Sequence, residues 1–296
     1  MNKILATIWL FAATMCFTAC ESEDPLQPSN ADTNPFITDD NADDEESLLR
    51  KEFYSKNSCY LLFNDTLNTG ELLDLGYMMT ASQNNNAYKY DYLATIEEKH
   101  LATQFVEQYL LPHLGKKLRP FSFLLVNNIN HFTYEDGQLR EPDDGITNPS
   151  FVVGVRATAI AMSAITEMGE SEKNDYSKEL IIEILANIIS HQTIETFNEF
   201  TSYGKKYYGV WMEGWVEGEE EGMPLQNAKS FIAPHQDIWG VWWTAYPTLD
   251  EDVKAFINLA MNTTLEEVEE KYTEYPDIIS KYKLMKQIIT ELGYIK

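Results

Sequence analysis

Basic residues are scarce. The 296-residue chain holds 22 Lys and Arg against 47 Asp and Glu, a formal charge of −25. With no basic footprint to neutralise phosphates, nucleic acid is excluded as a partner and an anionic bilayer surface is disfavoured. Cysteine is scarcer still. Cys16, Cys20 and Cys59 are too few for a disulfide framework or a thiolate zinc cluster. There is no glycine-rich phosphate loop and no Gly-x-Ser-x-Gly elbow. The apolar run from Ile4 to Phe17 is too short to span a bilayer. What remains is ordinary for a globular protein, 44% hydrophobic and 12% aromatic, with enough length for one large or two small domains.

The short apolar run follows a single Lys3 and ends Phe17-Thr18-Ala19-Cys20. This is the form of a signal peptide, and small residues just before a cysteine are what a lipoprotein signal peptidase cuts. Residues 1–19 are therefore read as a signal peptide and Cys20 as the lipidated N-terminus, with Cys16 disfavoured by the bulky Met15 before it. From Cys20 to Leu49 there are ten Asp or Glu, no Lys or Arg, and Pro25, Pro28 and Pro35. Such a stretch buries too little apolar surface to offset its ordering entropy, so residues 20–50 read as an acidic, disordered tether. Its start, Cys20-Glu-Ser-Glu-Asp24, resembles the acidic export signal that sends lipoproteins of Bacteroidota to the outer face of the outer membrane; a plain solvated linker is the alternative.

Residues 51–296 read as the folded domain. Strands are expected at 60–64, 121–126 and 151–155, a helix at 92–111 stopped near Pro112, and a loop or hairpin at 133–149. Cys59 opens the first strand-like run and is expected to be a small buried hydrophobe. The strongest helix spans 176–200, with Ile181, Ile184, Leu185 and Ile188 in one stripe. At 100° per residue, His191, Gln192 and Glu195 fall on the same side, where polar groups are costly unless they bind something. Residues 203–246 read as aromatic and irregular. Helices follow at 249–261, 265–274 and 278–292. The order gives an α+β fold with an N-terminal mixed sheet and a helical C-terminal half, the long helix packing beneath the sheet.

The helix from Ile188 to Phe197 carries the chemistry. In zincins, His-Glu-x-x-His places two zinc ligands one turn apart, and the glutamate takes a proton from the zinc-bound water. Here the same positions read His191, Gln192 and Glu195: one ligand intact, an amide in place of the base, a carboxylate in place of the second ligand.

With that helix placed, the chain resembles the zinc-binding metallopeptidase lipoproteins of Bacteroidota, also described as substrate-import-associated zinc metallohydrolases, encoded beside TonB-dependent importers. The resemblance runs through the lipoprotein start, the stretch from Phe105 to Pro112 with its following apolar strand, Phe231 to Pro234, the acidic helix start from Leu249 to Ile257, and Lys281 to Met285. It implies a zincin-like fold, a partnership with a TonB-dependent importer and its lipoprotein lid, and a glutamate as third zinc ligand at the position of Ala255. The base and two ligand positions are thus substituted. Losing a positioned base costs on the order of 10²–10⁴ in rate, and losing a ligand removes the ion that acidifies water. The implied protein is a surface-exposed, outer-membrane lipoprotein with a decayed catalytic site and no cofactor, acting as an accessory or binding subunit in glycan or peptide uptake. The alternative is an active metal-dependent hydrolase whose zinc is held by His191, Glu195 and Glu251.

The other histidines, His100, His113, His131 and His235, follow no ligand spacing, and the acidic run from Glu217 to Glu221 reads as a solvated loop. The tryptophans of the mature chain all lie between Trp211 and Trp243. Most are expected in the core, Trp242 and Trp243 above all, with Trp211, Trp215 and Trp239 as candidates for a binding surface.

Overall fold

In the computed structural model, four strands form the central sheet in the order β1-β3-β7-β6: β1 is Tyr60–Leu62, β3 Ser122–Val126, β6 Phe151–Val153 and β7 Thr158–Ala161. The structure describes residues 34–73, 75, 86–135, 138–140, 148–191, 194–217, 219–233, 235–236 and 242–296. Phe36–Lys296 forms one compact unit. β1, β3 and β7 run parallel, while β6 pairs antiparallel with β7 and forms an edge. All five residues of β3 are buried, as a parallel strand covered on both faces requires.

The period-2 alternation along these strands separates two cores. Leu61, Phe123, Leu125 and Ile160 face the helices. Leu62, Leu124, Ala159 and Ala161 face the other way, onto Phe36, Leu73, Leu75 and Ile129. Ile129 belongs to a second sheet, β2-β4-β5, of Asn86–Asp91, Asn128–Glu135 and Gln138–Arg140.

Helix starts are written locally. α1 (Glu45–Asn57) is capped by Asp44, which accepts from the Ser47 amide. α2 (Ile96–Phe105) begins at a capping box of Thr95 and Glu98. It widens into a π-type turn over Val106–Leu110 and ends in a 3₁₀ turn, Leu111–His113, containing Pro112. α3 (Glu170–His191) is the long helix, and α4 (Glu195–Ser202) follows. α5 is Glu219–Asn227. α6 (Leu249–Asn262) and α7 (Leu265–Lys271) each start at a Thr/Glu capping box. α8 (Pro276–Leu292) has proline in its first turn and stops at Gly293, φ 100°, a conformation that disfavours a side chain.

The α+β class, the mixed sheet and the helical C-terminal half match the expectation from sequence. Several particulars differ. The fold reaches back to Phe36, only 1% exposed, and α1 begins inside the stretch read as tether; its capped start and its buried Leu49 and Phe53 outweigh the acidic composition around it. Residues 203–246 are not irregular throughout: β8 (Trp211–Glu217), β9 (His235–Gln236) and β10 (Trp242–Ala245) form an antiparallel sheet in the order β8-β10-β9. The first part of 133–149 is the β4-β5 hairpin; residues 136–137 and 141–147 lie outside the described residues. Cys59 is 1% exposed, and burial pushes its thiol up to about 12, so it is an inert core residue.

The largest correction concerns the long helix. Continuous helix ends at His191, and Ile194 has an extended backbone (φ −111°, ψ 118°) before α4 begins. The turn lets Phe200 insert fully into the core, edge-on to Phe256 at 5.3 Å between ring centres. An uninterrupted helix would carry it past that contact.

Ile184 is 2% exposed, whereas Ile188 is only partly buried. Ile184→Ala is expected to lose about 2–5 kcal/mol and Ile188→Ala about half that, read as a difference in urea midpoints. Equal losses would show that the buried face is misassigned.

Candidate functional site

A cleft of about 730 Å³ lies between α3, the edge strand β6 and the start of α6. Helical spacing brings Glu183, Asn187, Ser190 and His191 to one side of α3. Phe151, Val152 and Val153 of β6 form the opposite wall, and Leu249, Asp250 and Lys254 of α6 a third; Tyr88 of β2 also lines it.

The register of β6 decides what it offers. Ser150 accepts from the Ala161 amide at 2.8 Å, and the Gly154 amide donates to Ala157 at 2.9 Å. These bonds point toward β7, and Val152 stands opposite Ala159 between them. By alternation, the backbone groups of Phe151 and Val153 point away from the sheet. The Asn187 amide makes a long contact of 3.5 Å to the Val153 carbonyl.

Lys254 bridges two walls. Its ammonium lies 2.8 Å from Glu183 of α3 and 2.8 Å from Asp250 of its own helix. Burial draws the Lys254 pKa down, but hydrogen bonds to Asp250 and Glu183 outweigh it, and the net direction is up. Lys254 is therefore a charged brace, not a neutral amine poised as a base.

His191 ends α3, exposed, with Nδ1 2.7 Å from the Asn187 carbonyl. A carbonyl only accepts, so Nδ1 is the donor of this bond. The zincin-like partners do not gather around it. Gln192 lies outside the described residues. Glu195 is exposed at the first position of α4, beyond the break, and is not among the residues lining the cleft. Glu251 is held in the α6 capping box, accepting from the Thr248 amide at 2.7 Å and its hydroxyl at 2.9 Å. Ala255 lines an adjoining hollow that shares Phe151, Glu183 and Lys254 with the main cleft. The expectation that His191 and Glu195 face the core from one helix is thus corrected. Among the described residues, no three His, Cys, Asp or Glu side chains converge as a metal site.

Trp211, at the start of β8, is 69% exposed, as a surface aromatic should be. The side chains of Trp215, Trp242 and Trp243, the whole of Trp239, and Cys20 lie outside the described residues.

The strongest polar cluster, Lys281 with Asp252, was not anticipated from sequence. Both side chains are 0% exposed, with Nζ 2.7 and 2.8 Å from the two carboxylate oxygens. The same ammonium donates to the Ser230 carbonyl at 2.9 Å and lies over the rings of Phe200, Phe231 and Phe256. The Tyr208 hydroxyl donates to Asp252 at 2.8 Å. A signal was present: Lys281 interrupts the apolar stripe of Ile278, Tyr282, Met285 and Ile289, and a lysine on a core face calls for a buried carboxylate.

No family model matches the chain, and no curated protein or solved structure is significantly similar to it.

Proposed function

We propose that the chain is a lipid-anchored protein of the outer-membrane surface, built on a zincin-like scaffold that has lost its catalytic centre, and that it holds an extended peptide in the α3/β6 cleft as an accessory subunit of a TonB-dependent uptake system. The observation that carries this reading is the edge strand β6, whose Phe151 and Val153 backbone groups face away from the sheet on the wall opposite His191. An extended chain adds to such an edge through main-chain hydrogen bonds. The catalytic reading loses support from the same geometry: a zinc hydrolase needs three ligands, an open position and a base within reach, and the helix that should present 191 and 195 together is interrupted between them. The surface anchor and the importer rest on Cys20, the acidic segment after it and the resemblance stated above.

Protease added to intact cells is expected to shave the protein from the surface, and Cys20→Ala to release it from the membrane fraction. The purified protein is expected to retain no stoichiometric zinc after dialysis, to leave peptides intact and to bind extended peptides saturably, with binding weakened when Val153→Pro removes the outward-facing amide of the edge. Protection from protease, or membrane retention of Cys20→Ala, overturns the anchor. Chelator-sensitive peptide cleavage overturns the non-catalytic reading in favour of a metal site built on His191 and Glu195.

A further inference from the structure

The chain holds 47 acidic residues and 22 basic ones, and Lys56, Lys99, Lys254, Lys281 and Lys283 each reach a carboxylate within 3.0 Å. Arg119 and Lys286 instead donate to backbone carbonyls, and one face of the described fold gathers further cations without such a pair. A pocket of about 360 Å³ opens between residues 36–40, α1 and β1. Tyr54 and Tyr60 line it, their rings stacked with centres 4.4 Å apart and 19° between planes. Arg50 lines it too, half-buried. Its Nε donates to the Leu61 carbonyl at 2.8 Å, and among the described residues its two Nη groups meet no carboxylate and no other acceptor.

Glu46 and Asp44 attract that charge electrostatically, but among the described residues no carboxylate hydrogen-bonds its fork. Lys51 donates to the carbonyls of Asp40 and Ala42, neutral groups that do not cancel its charge. Arg156 lies 4.9 Å over the ring of Phe36, another wall residue. Nearby carboxylates are occupied elsewhere: Asp44 caps α1 and Glu46 pairs with Lys99. Asp40 is the one acidic residue on the wall.

A guanidinium with its outer fork free takes a planar carboxylate bidentately, and the stacked phenol rings offer a flat apolar wall to the body that carries it. Asp40 and the Thr38 hydroxyl add acceptors for ligand hydroxyl groups. A sugar carries hydroxyl groups that can donate to these acceptors, which a purely aromatic acid lacks. The volume lies at the small end of the range for ligand sites. We propose that this pocket binds a carboxylated sugar ring of the hexuronate class, as a second site that shares no residue with the α3/β6 cleft.

Calorimetric titration of the full chain, purified in detergent, with a galacturonate or glucuronate disaccharide tests this, alongside the matching neutral disaccharide and benzoate. Saturable uronate binding is expected, with the neutral sugar about tenfold weaker or more, the worth of a charge-assisted pair. Arg50→Lys keeps the charge but loses the fork, and Tyr54→Ala removes a ring already 43% exposed. Each variant is expected to weaken uronate about tenfold while still unfolding cooperatively, with a melting temperature lowered by no more than about 4 °C. Equal binding of neutral sugar, unaltered binding by Arg50→Lys, benzoate binding without uronate binding, or no uronate binding at all each overturns the proposal.

Discussion

Lys281→Met is expected to destabilise the fold by about 3–5 kcal/mol, because it leaves the Asp252 carboxylate buried without its counter-charge. The pair joins α8 to α6, and the same ammonium holds the carbonyl of Ser230, whose φ of 68° is unusual for a residue with a side chain. Burial pushes the Asp252 carboxyl above its ordinary value, with Lys281 and the Tyr208 hydroxyl pulling it back; burial likewise draws Lys281 down. In the Lys281→Met variant the larger restoring influence is gone, so the Asp252 pKa rises further. A carboxyl with a raised folded pKa favours folding below its unfolded value and loses that contribution as pH rises through the folded one. The stability deficit of the variant is therefore expected to grow from pH 4 toward pH 7 in urea titrations. Asp252→Leu combined with Lys281→Met is expected to recover most of the loss, short of about 1–3 kcal/mol for the orphaned Tyr208 hydroxyl and Ser230 carbonyl. A single-variant cost under about 1 kcal/mol is incompatible with an uncompensated buried charge.

Phe123→Ala is expected to cost about 3–5 kcal/mol, as for a fully buried aromatic cut to a methyl group. Phe123 is 0% exposed in the middle strand and meets Phe53 of α1 edge-on, 6.4 Å between ring centres. Phe121 belongs to the same apolar run but is 47% exposed and lies before β3 begins. Phe121→Ala is expected to cost only about 1 kcal/mol, since it loses ring contacts with Phe36 and Tyr60 and leaves no internal cavity. Comparable losses at the two positions, read from thermal or urea unfolding, would mean that the run is buried from its first residue.

The two expected results draw on different kinds of information. Phe123 was legible in the sequence, because a short aromatic and branched run has few placements other than a covered strand. So were the helices expected at 249–261 and 278–292, found at Leu249–Asn262 and Pro276–Leu292, although Pro276 opens the last helix rather than ending a pattern before it. The stripe of Ile181, Ile184 and Leu185 is likewise a local pattern, and all three are buried. Local periodicity thus determined these elements and the α+β class, and the apolar run around Cys59 determined its inertness, but neither determined the sheet within 203–246.

What it did not determine is where periodicity yields to a distant partner. The helical wheel carried α3 past His191, but Ile194 is extended before α4 begins, and Phe200 of α4 packs on Phe256 and Lys281. That break separates His191 from Glu195. Lys281 and Asp252 are 29 residues apart in sequence, and no local pattern says that their charges meet. The cleft exists only because β6 runs antiparallel at the sheet edge beside α3 and α6, and the Arg50 fork is left without an acceptor among the described residues only once α1 lies against β1. Strand order, edge position and charge pairing are set by contacts remote in the chain, which no window of neighbouring residues encodes.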